Sequence, residues 1–278
     1  MEDKEISVSI LKYETALRDP NSRGRAYRRL RELVNAEIDY IHVDWMRSDF
    51  ILGIKRFSLK VVSELFSALK NDIRFDIHMM DNYPLGGINA LAKIFPRKNR
   101  ADTFVTVHRE AYRRLRTPYD CYNDKKYDLT QVDTGSSHGN QVLREADTEF
   151  SKLVEKTLEE IKNLGFRPGL ALEPGTSLES VTPKMRKCID LLLLMSVHSG
   201  AGGQEYMPEV TGKVRRIRYG DLTAKFEGVK KEVDGGIHNE TIKAPNKAGA
   251  DIFVVGSFIT GSRCPLEKLS VLRRILRS

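Results

Sequence analysis

Cysteine is scarce in this chain of 278 residues: there are three, Cys121, Cys188 and Cys264, far apart and odd in number. No Cys-x-x-Cys pair occurs, which excludes a disulfide framework and a cysteine zinc site and suits a reducing, cytoplasmic setting. Long apolar runs are absent as well. The longest uncharged one, Leu191 to Val197, falls far short of the ~20 residues that cross a bilayer. The first residues, Met1-Glu-Asp-Lys-Glu5, are acidic where a secretory signal is basic, so neither export nor a membrane role is expected. Also missing are a linker rich in Pro, Gly or Ser, any low-complexity tract, and the Gly-x-x-x-x-Gly-Lys-Ser/Thr of a nucleotide P-loop. What is present is an ordinary globular balance, 40% hydrophobic and 30% charged. Lys and Arg number 46 against 38 Asp and Glu, and the net +8 favours anionic partners such as phosphorylated metabolites or nucleic acid. Taken alone, such charge is better accounted for by solvated helix faces.

Short aliphatic or β-branched runs recur along the chain, beginning near Ile6, Ile38, Arg74, Asp102, Arg167, Asp190, Val229 and Asp251. Seven are nearly continuous rather than alternating, as when both faces of a parallel strand are covered. Amphipathic helical patterns lie between them at 24–35, 58–70, 146–164, 178–188, 208–218 and 265–276. This alternation predicts an α/β fold with right-handed crossovers. Eight units at this length predict a single (β/α)8 TIM barrel domain over 1–278. A doubly wound sheet is the alternative, but no Gly-x-Gly-x-x-Gly follows the first strand. One interval, Asp102 to Arg167, is 65 residues long where a unit takes about 30. The surplus, 113–145, reads as an insertion enlarging the loop after strand 4, on the face where barrel active sites are built. A lid or interface and plain decoration are both open for it.

Polar residues close several strands. In Ile41-His42-Val43-Asp44-Trp45-Met46, His42 and Asp44 are two apart and share a strand face. The third strand ends Phe75-Asp76-Ile77-His78-Met79-Met80, and the seventh ends Val233-Asp234-Gly235-Gly236. A lone strand-end histidine is usually a hydrogen-bonded structural residue. Two imidazoles and two carboxylates at the same rim instead suit one divalent ion, with zinc, iron(II), manganese and cobalt all admissible. Glycines cluster after the last three strands, in His198-Ser199-Gly200-Ala201-Gly202-Gly203-Gln204, Gly235-Gly236 and Gly256-Ser257. Each could be an ordinary turn, but three late loops together favour a phosphate approached by backbone N–H groups.

With these residues the chain resembles the ribulose-phosphate 3-epimerase family. The matching segments are Val8-Ser9-Ile10-Leu11, the two strand ends around Asp44 and His78, Gly169-Leu-Ala-Leu-Glu-Pro-Gly-Thr176 and Leu194-Met-Ser-Val197. Further on come Gly200-Ala-Gly-Gly-Gln204, Glu232-Val-Asp-Gly-Gly236 and Ala248-Gly-Ala-Asp251 through Val255-Gly-Ser257. The resemblance implies a (β/α)8 barrel holding a metal on His42, Asp44, His78 and Asp234, with Asp44 and Asp234 as the acid–base pair. It implies that Ser9, His78, Gly200, Ala201, Gly202, Gly203, Asp234, Gly235, Gly236, Gly256 and Ser257 meet a phosphorylated ketose. Met46, Met80 and Met195 correspond to the family's pocket methionines; strand-end methionine is otherwise mostly core filler. Epimerisation at carbon 3 takes a proton from beside a carbonyl and returns one to the opposite face. A Lewis acid stabilises the enediolate formed between these steps.

The rim departs from the family pattern. Arg47-Ser48 stands for a usual Asp-Gly, Ile51-Leu52-Gly53 for Val-Pro-Asn, His198-Ser199 for Asn-Pro, Ala201 for an aromatic and Glu173 for Asn. The expected activity is therefore metal-dependent 3-epimerisation of D-ribulose 5-phosphate to D-xylulose 5-phosphate, with a ketohexose 6-phosphate such as allulose 6-phosphate as the alternative. A catalytically silent sugar-phosphate binder is a further reading. A nucleic-acid binder using Arg25 to Arg31, Arg109 to Arg116 and Val214 to Arg218 is disfavoured, because Glu32, Glu37, Glu110 and Asp120 weaken the field. A homo-oligomer is expected.

Overall fold

The structure, a computed structural model, describes residues 4–69, 72–112, 137–200 and 202–277. Eight parallel strands, β1 (Glu5–Ser9), β2 (Tyr40–Met46), β3 (Arg74–Met80), β4 (Phe104–His108), β5 (Arg167–Leu172), β6 (Leu191–Met195), β7 (Lys230–Asp234) and β8 (Ile252–Val255), close into a barrel in chain order. β8 returns to pair with β1. Every strand begins within two residues of its expected start.

Two separate cores explain why the strands read as continuous apolar runs. Outward positions such as Ile41, Val43, Ile77, Leu192, Leu194 and Phe253 pack with Leu30, Leu65, Leu158, Val214 and Leu272 of the surrounding helices. Inward positions fill the barrel: Tyr40, Phe104, Leu191 and Ile252 form a cluster of their own. Below that layer Glu5 pairs with Arg74 at 2.9 Å and with Lys230, and the Arg74 and Arg167 guanidinium groups each lie 4.1 Å from the rings of Tyr40 and Phe104. The lower mouth is thus plugged, and polar inward residues higher up face the other end.

The helical expectations need three corrections. The pattern at 178–188 is broken into a 3-10 turn (Leu178–Ser180) and a helix (Pro183–Cys188), because extended Thr182 caps the latter through its side chain and Pro183 opens it. The helix expected at 146–164 begins earlier, at Ser137–Asn163, so 137–145 of the expected insertion are helical; 113–136 lie outside the described residues. Arg109, buried just past β4, ties this helix in by donating to Ser151 Oγ (2.7 Å) and to the Ser180 carbonyl (3.0 Å). A helix at Pro84–Ile94 was not anticipated, since Gly86-Gly87 dilutes its pattern. Gly87 is there for room: a Cβ would stand 2.6 Å from Met79 Cε. Among the described residues, no helix is long and apolar enough to cross a membrane.

Candidate metal centre

His42 and Asp44 of β2, His78 of β3 and Asp234 of β7 each point a ligand atom to one place at the C-terminal end of the barrel, all within 4.8 Å of one another. Strand pairing does the positioning: His78 stands beside Asp44 in the β2–β3 register, and inward residues of β7 close the ring from the far side. His42 Nε2 lies 3.5 Å from Asp44 Oδ1 and 3.7 Å from Asp234 Oδ2. His78 Nδ1 lies 3.9 Å and 3.8 Å from the same two oxygens. Both nitrogens are buried with no hydrogen-bond partner. A buried polar atom without a partner is costly, so two of them aimed at two carboxylates are the signature of a cation's donor set. The residues fit a divalent ion.

A second layer supports the first. His42 Nδ1 donates to Asp76 Oδ2 at 2.6 Å, and Ser7 Oγ donates to that same oxygen at 2.9 Å. That contact fixes which ring nitrogen can bind: Nδ1 is held toward Asp76, and Nε2 is the one left to face an ion, which would take the place of a proton there. Ser9 Oγ holds Asp44 through Oδ2 at 2.7 Å. Glu232, on β7 one layer below Asp234, is raised well above the usual carboxylate range by burial and by the Asp76 charge. Its carboxyl lies within 4.8 Å of Asp76 and His42. Burial opposes charge on His42 too, but the carboxylates of Asp76 and Asp44 win and raise it. Burial, then the neighbouring rings of His108 and His42, keep His78 neutral. Asp234 is raised by burial against the pull of His42, with Asp44 and Asp76 adding to the effect.

Above the ion site opens a cavity of about 620 Å³. Ser9, Asp44, Met46, Met80, Met195, Gly200, Gly202, Gly203, Asp234, Gly235, Gly236, Gly256 and Ser257 line it; His42 and His78 are wholly buried and do not line it, so His78, expected to meet the substrate, does not reach the cavity wall. Ala201 lies outside the described residues. The methionines divide: Met46 and Met80 pack with Phe50, and Met195 with Ala171, Leu193 and Val197. Gly236 has φ +63°, and a Cβ there would stand 2.5 Å from Tyr206 N, so the loops after β6 and β7 meet backbone to backbone. His198, expected at the rim, borders the cavity, as do Tyr206, His238 and Phe258, which were not singled out for it. They follow strand ends, but nothing in their spacing says which loop residues turn inward. Asp76, Glu232 and His108 were missed although each is inward-facing by the period-two rule.

A family model described as "Ribulose-phosphate 3 epimerase family" matches residues 20–119 and 138–260, passing over the stretch between them. A ribulose-phosphate 3-epimerase of Mycobacterium leprae is 30% identical over 246 residues, 87% of this chain and 85% of that protein. A cytoplasmic isoform of rice is 40% identical over 122 residues, and the Escherichia coli enzyme 40% over 111, so those alignments span about half the length of each relative (51% and 48%). Among solved structures, 3-hexulose-6-phosphate synthase of Salmonella typhimurium superposes with a TM-score of 0.54 at 13% identity, covering 98% of both chains. 3-Keto-L-gulonate-6-phosphate decarboxylase of Vibrio cholerae also reaches 0.54 at 13% identity, covering 100% of this chain and 98% of its own. These two likenesses concern the fold alone. The sequence relation is of another order, since it runs through both halves of the barrel and all four residues of the ion site: the chain belongs to the ribulose-phosphate 3-epimerase family.

Proposed function

We propose that this protein is a metal-dependent 3-epimerase of a ketose phosphate, interconverting D-ribulose 5-phosphate and D-xylulose 5-phosphate. One observation carries the reading: Asp44 and Asp234 converge from β2 and β7 on the point where both histidines present buried nitrogens with no hydrogen-bond partner. A divalent ion on His42, Asp44, His78 and Asp234 would supply Lewis-acid stabilisation of enediolate charge, with zinc, iron(II), manganese and cobalt all compatible with the donor set. Asp44, steadied by Ser9, takes or returns the carbon-3 proton on one face; Asp234, whose carboxyl burial pushes up, serves the other. The sugar chain lies over Met46, Met80 and Met195. Its phosphate is held by backbone at Gly202, Gly203, Gly235, Gly236, Gly256 and Ser257, all on the cavity wall.

Burial of the site excludes water from the carbanionic step, and the Asp76 carboxylate keeps the His42 imidazole from turning. The rice relative's description as a cytoplasmic isoform supports the same setting here. Turnover of a panel of pentulose 5-phosphates and hexulose 6-phosphates, with metal present, tests the reading. Fastest turnover on ribulose or xylulose 5-phosphate is expected. Fastest turnover on a hexulose 6-phosphate would overturn the substrate assignment, and turnover of none would overturn the activity.

A further inference from the structure

We propose that His108, which does not reach the ion site, sets the ring tautomer of His78 and through it the affinity of the site for its cation; this rests on the metal-site reading above. His108 closes β4 and is wholly buried, its ring 4.9 Å from that of His78 and 4.7 Å from that of Phe50. The Nε2 atoms of His78 and His108 are 2.8 Å apart. At that separation they share one proton, so one nitrogen donates and the other accepts.

The other side of His108 decides which. Its Nδ1 faces Glu110 Oε2 at 3.3 Å and Glu173 Oε1 at 3.7 Å, two carboxylate oxygens that only accept. Glu110 is itself pinned by Thr176 Oγ1 and by the backbone N–H of Glu173 (3.3 Å). The proton of His108 therefore sits on Nδ1 and its Nε2 offers a lone pair. His78 must donate from Nε2, which leaves His78 Nδ1 bare, and that is the atom facing Asp44 and Asp234. The opposite tautomer would aim an N–H at the cation. His42 reaches the same state in one step through Asp76; His78 needs an intervening imidazole. The Nδ1 side of that imidazole faces two acids, and Glu173 is one of the residues by which this chain departs from its family's usual Asn. His108 is a positioning residue, and Glu110 and Glu173 position it.

The test reads the tautomers directly by ¹⁵N NMR of the zinc-loaded wild-type protein, with zinc affinity measured alongside against a chromophoric chelator. His108 should show a protonated Nδ1 and a bare Nε2, and His78 a protonated Nε2. In His108→Phe the ring packing survives but the acceptor is lost, and the zinc dissociation constant should rise about 10–100-fold. His108→Gln, whose amide oxygen can accept from His78, should recover most of that loss. A proton on Nε2 of His108, or a cooperatively melting His108→Phe protein binding zinc within twofold of wild type, overturns the relay. If the Phe variant does not fold, the wild-type tautomers decide. Wild-type protein that binds no divalent metal overturns the metal-site reading itself, a result distinct from either.

Discussion

Replacing Asp234 with Asn separates proton transfer from architecture. The side chains are isosteric, and the Asn carbonyl oxygen can occupy the place of Oδ2, 3.7 Å from His42 Nε2 and 3.8 Å from His78 Nδ1. Barrel and ion site should persist, but an amide neither takes nor delivers a proton at carbon 3. A positioned acid–base group is worth about 10²–10⁴ in rate, equal to about 2.7–5.4 kcal/mol of barrier at about 1.36 kcal/mol per tenfold. Loss of an anionic ligand also weakens the hold on the cation, so the comparison belongs at saturating metal. In deuterium oxide the outcome has a direction. Asp44 remains, fixed by Ser9 at 2.7 Å, and can still remove the proton of whichever epimer faces it and return deuterium to the same side. Asp234→Asn should therefore wash deuterium into carbon 3 of one epimer much faster than it inverts that carbon, and Asp44→Asn should do so with the other epimer. Either variant turning over within tenfold of wild type at saturating metal would refute the two-carboxylate scheme.

Three other outcomes are expected. Gly235→Ala forces a side chain onto φ +118° and sets a Cβ 2.5 Å from Val197 Cγ2 and 2.9 Å from Val197 N; strain and overpacking of about 1–3 kcal/mol each should lower the melting temperature by several degrees, and an unchanged melt would contradict it. Burial works to raise Glu110, but hydrogen bonds with His108 and Thr176 hold it at about 2, below its ordinary 4.5. Its stabilisation is complete above about pH 4.5 and is lost toward pH 2 at up to about 1.4 kcal/mol per pH unit, so Glu110→Gln should flatten the urea-midpoint profile between those limits while leaving the slope above pH 5 alone. Chelation should abolish turnover and destabilise the fold, since a cation at a hundredfold its dissociation constant adds about 2.7 kcal/mol; a melt unmoved by restoring zinc, manganese or cobalt would count against a resident ion.

The barrel was legible because closing it imposes a severe rule on each strand. Leu191 to Met195 must satisfy helices outside and the packed interior inside, so both faces are apolar and the run is continuous. Polar residues in such strands then stand out, and His42, Asp44, His78 and Asp234 were found that way. The same rule extends further than it was carried. Ser7 precedes Ser9 by two, Asp76 precedes His78 by two and Glu232 precedes Asp234 by two, so each lies on the inward face one layer down, where the structure puts the supports of the site. His108 is a strand-end histidine like the others. Beyond that the sequence goes quiet for a physical reason: Glu110 and Glu173 meet His108 through the turns after β4 and β5, whose relative course depends on the pairing of His108 with Ala171. Gly86-Gly87 hid a helix, and of the two Gly87 answers to Met79 and Trp45 rather than to helix propensity.

The substitutions at the rim are not scattered. Arg47 stacks 3.8 Å over Trp45 and donates to the carbonyls of Met46 and Arg56, which ties down the loop after β2. From that loop Ile51 reaches across to Gly200, where a Cβ would come within 2.9 Å of its Cγ2. In the same β6 loop the Ser199 N–H donates to Glu173 Oε2 at 3.3 Å, and His198 Nδ1 lies 3.7 Å from that oxygen. Of the altered positions, Glu173 after β5 meets His198 and Ser199 after β6, and Ile51 after β2 meets the same β6 loop at Gly200. Gly235, Gly236, Gly256 and Ser257, which match the family, line the cavity. No residue of the altered set supplies a ligand at the ion site. Under the proposed reading, the phosphate wall and the proton-transfer pair are kept while the surface that closes over the sugar is new. Divergence from the relatives should accordingly appear in KM and in discrimination among ketose phosphates before it appears in the requirement for Asp44, Asp234 and a metal.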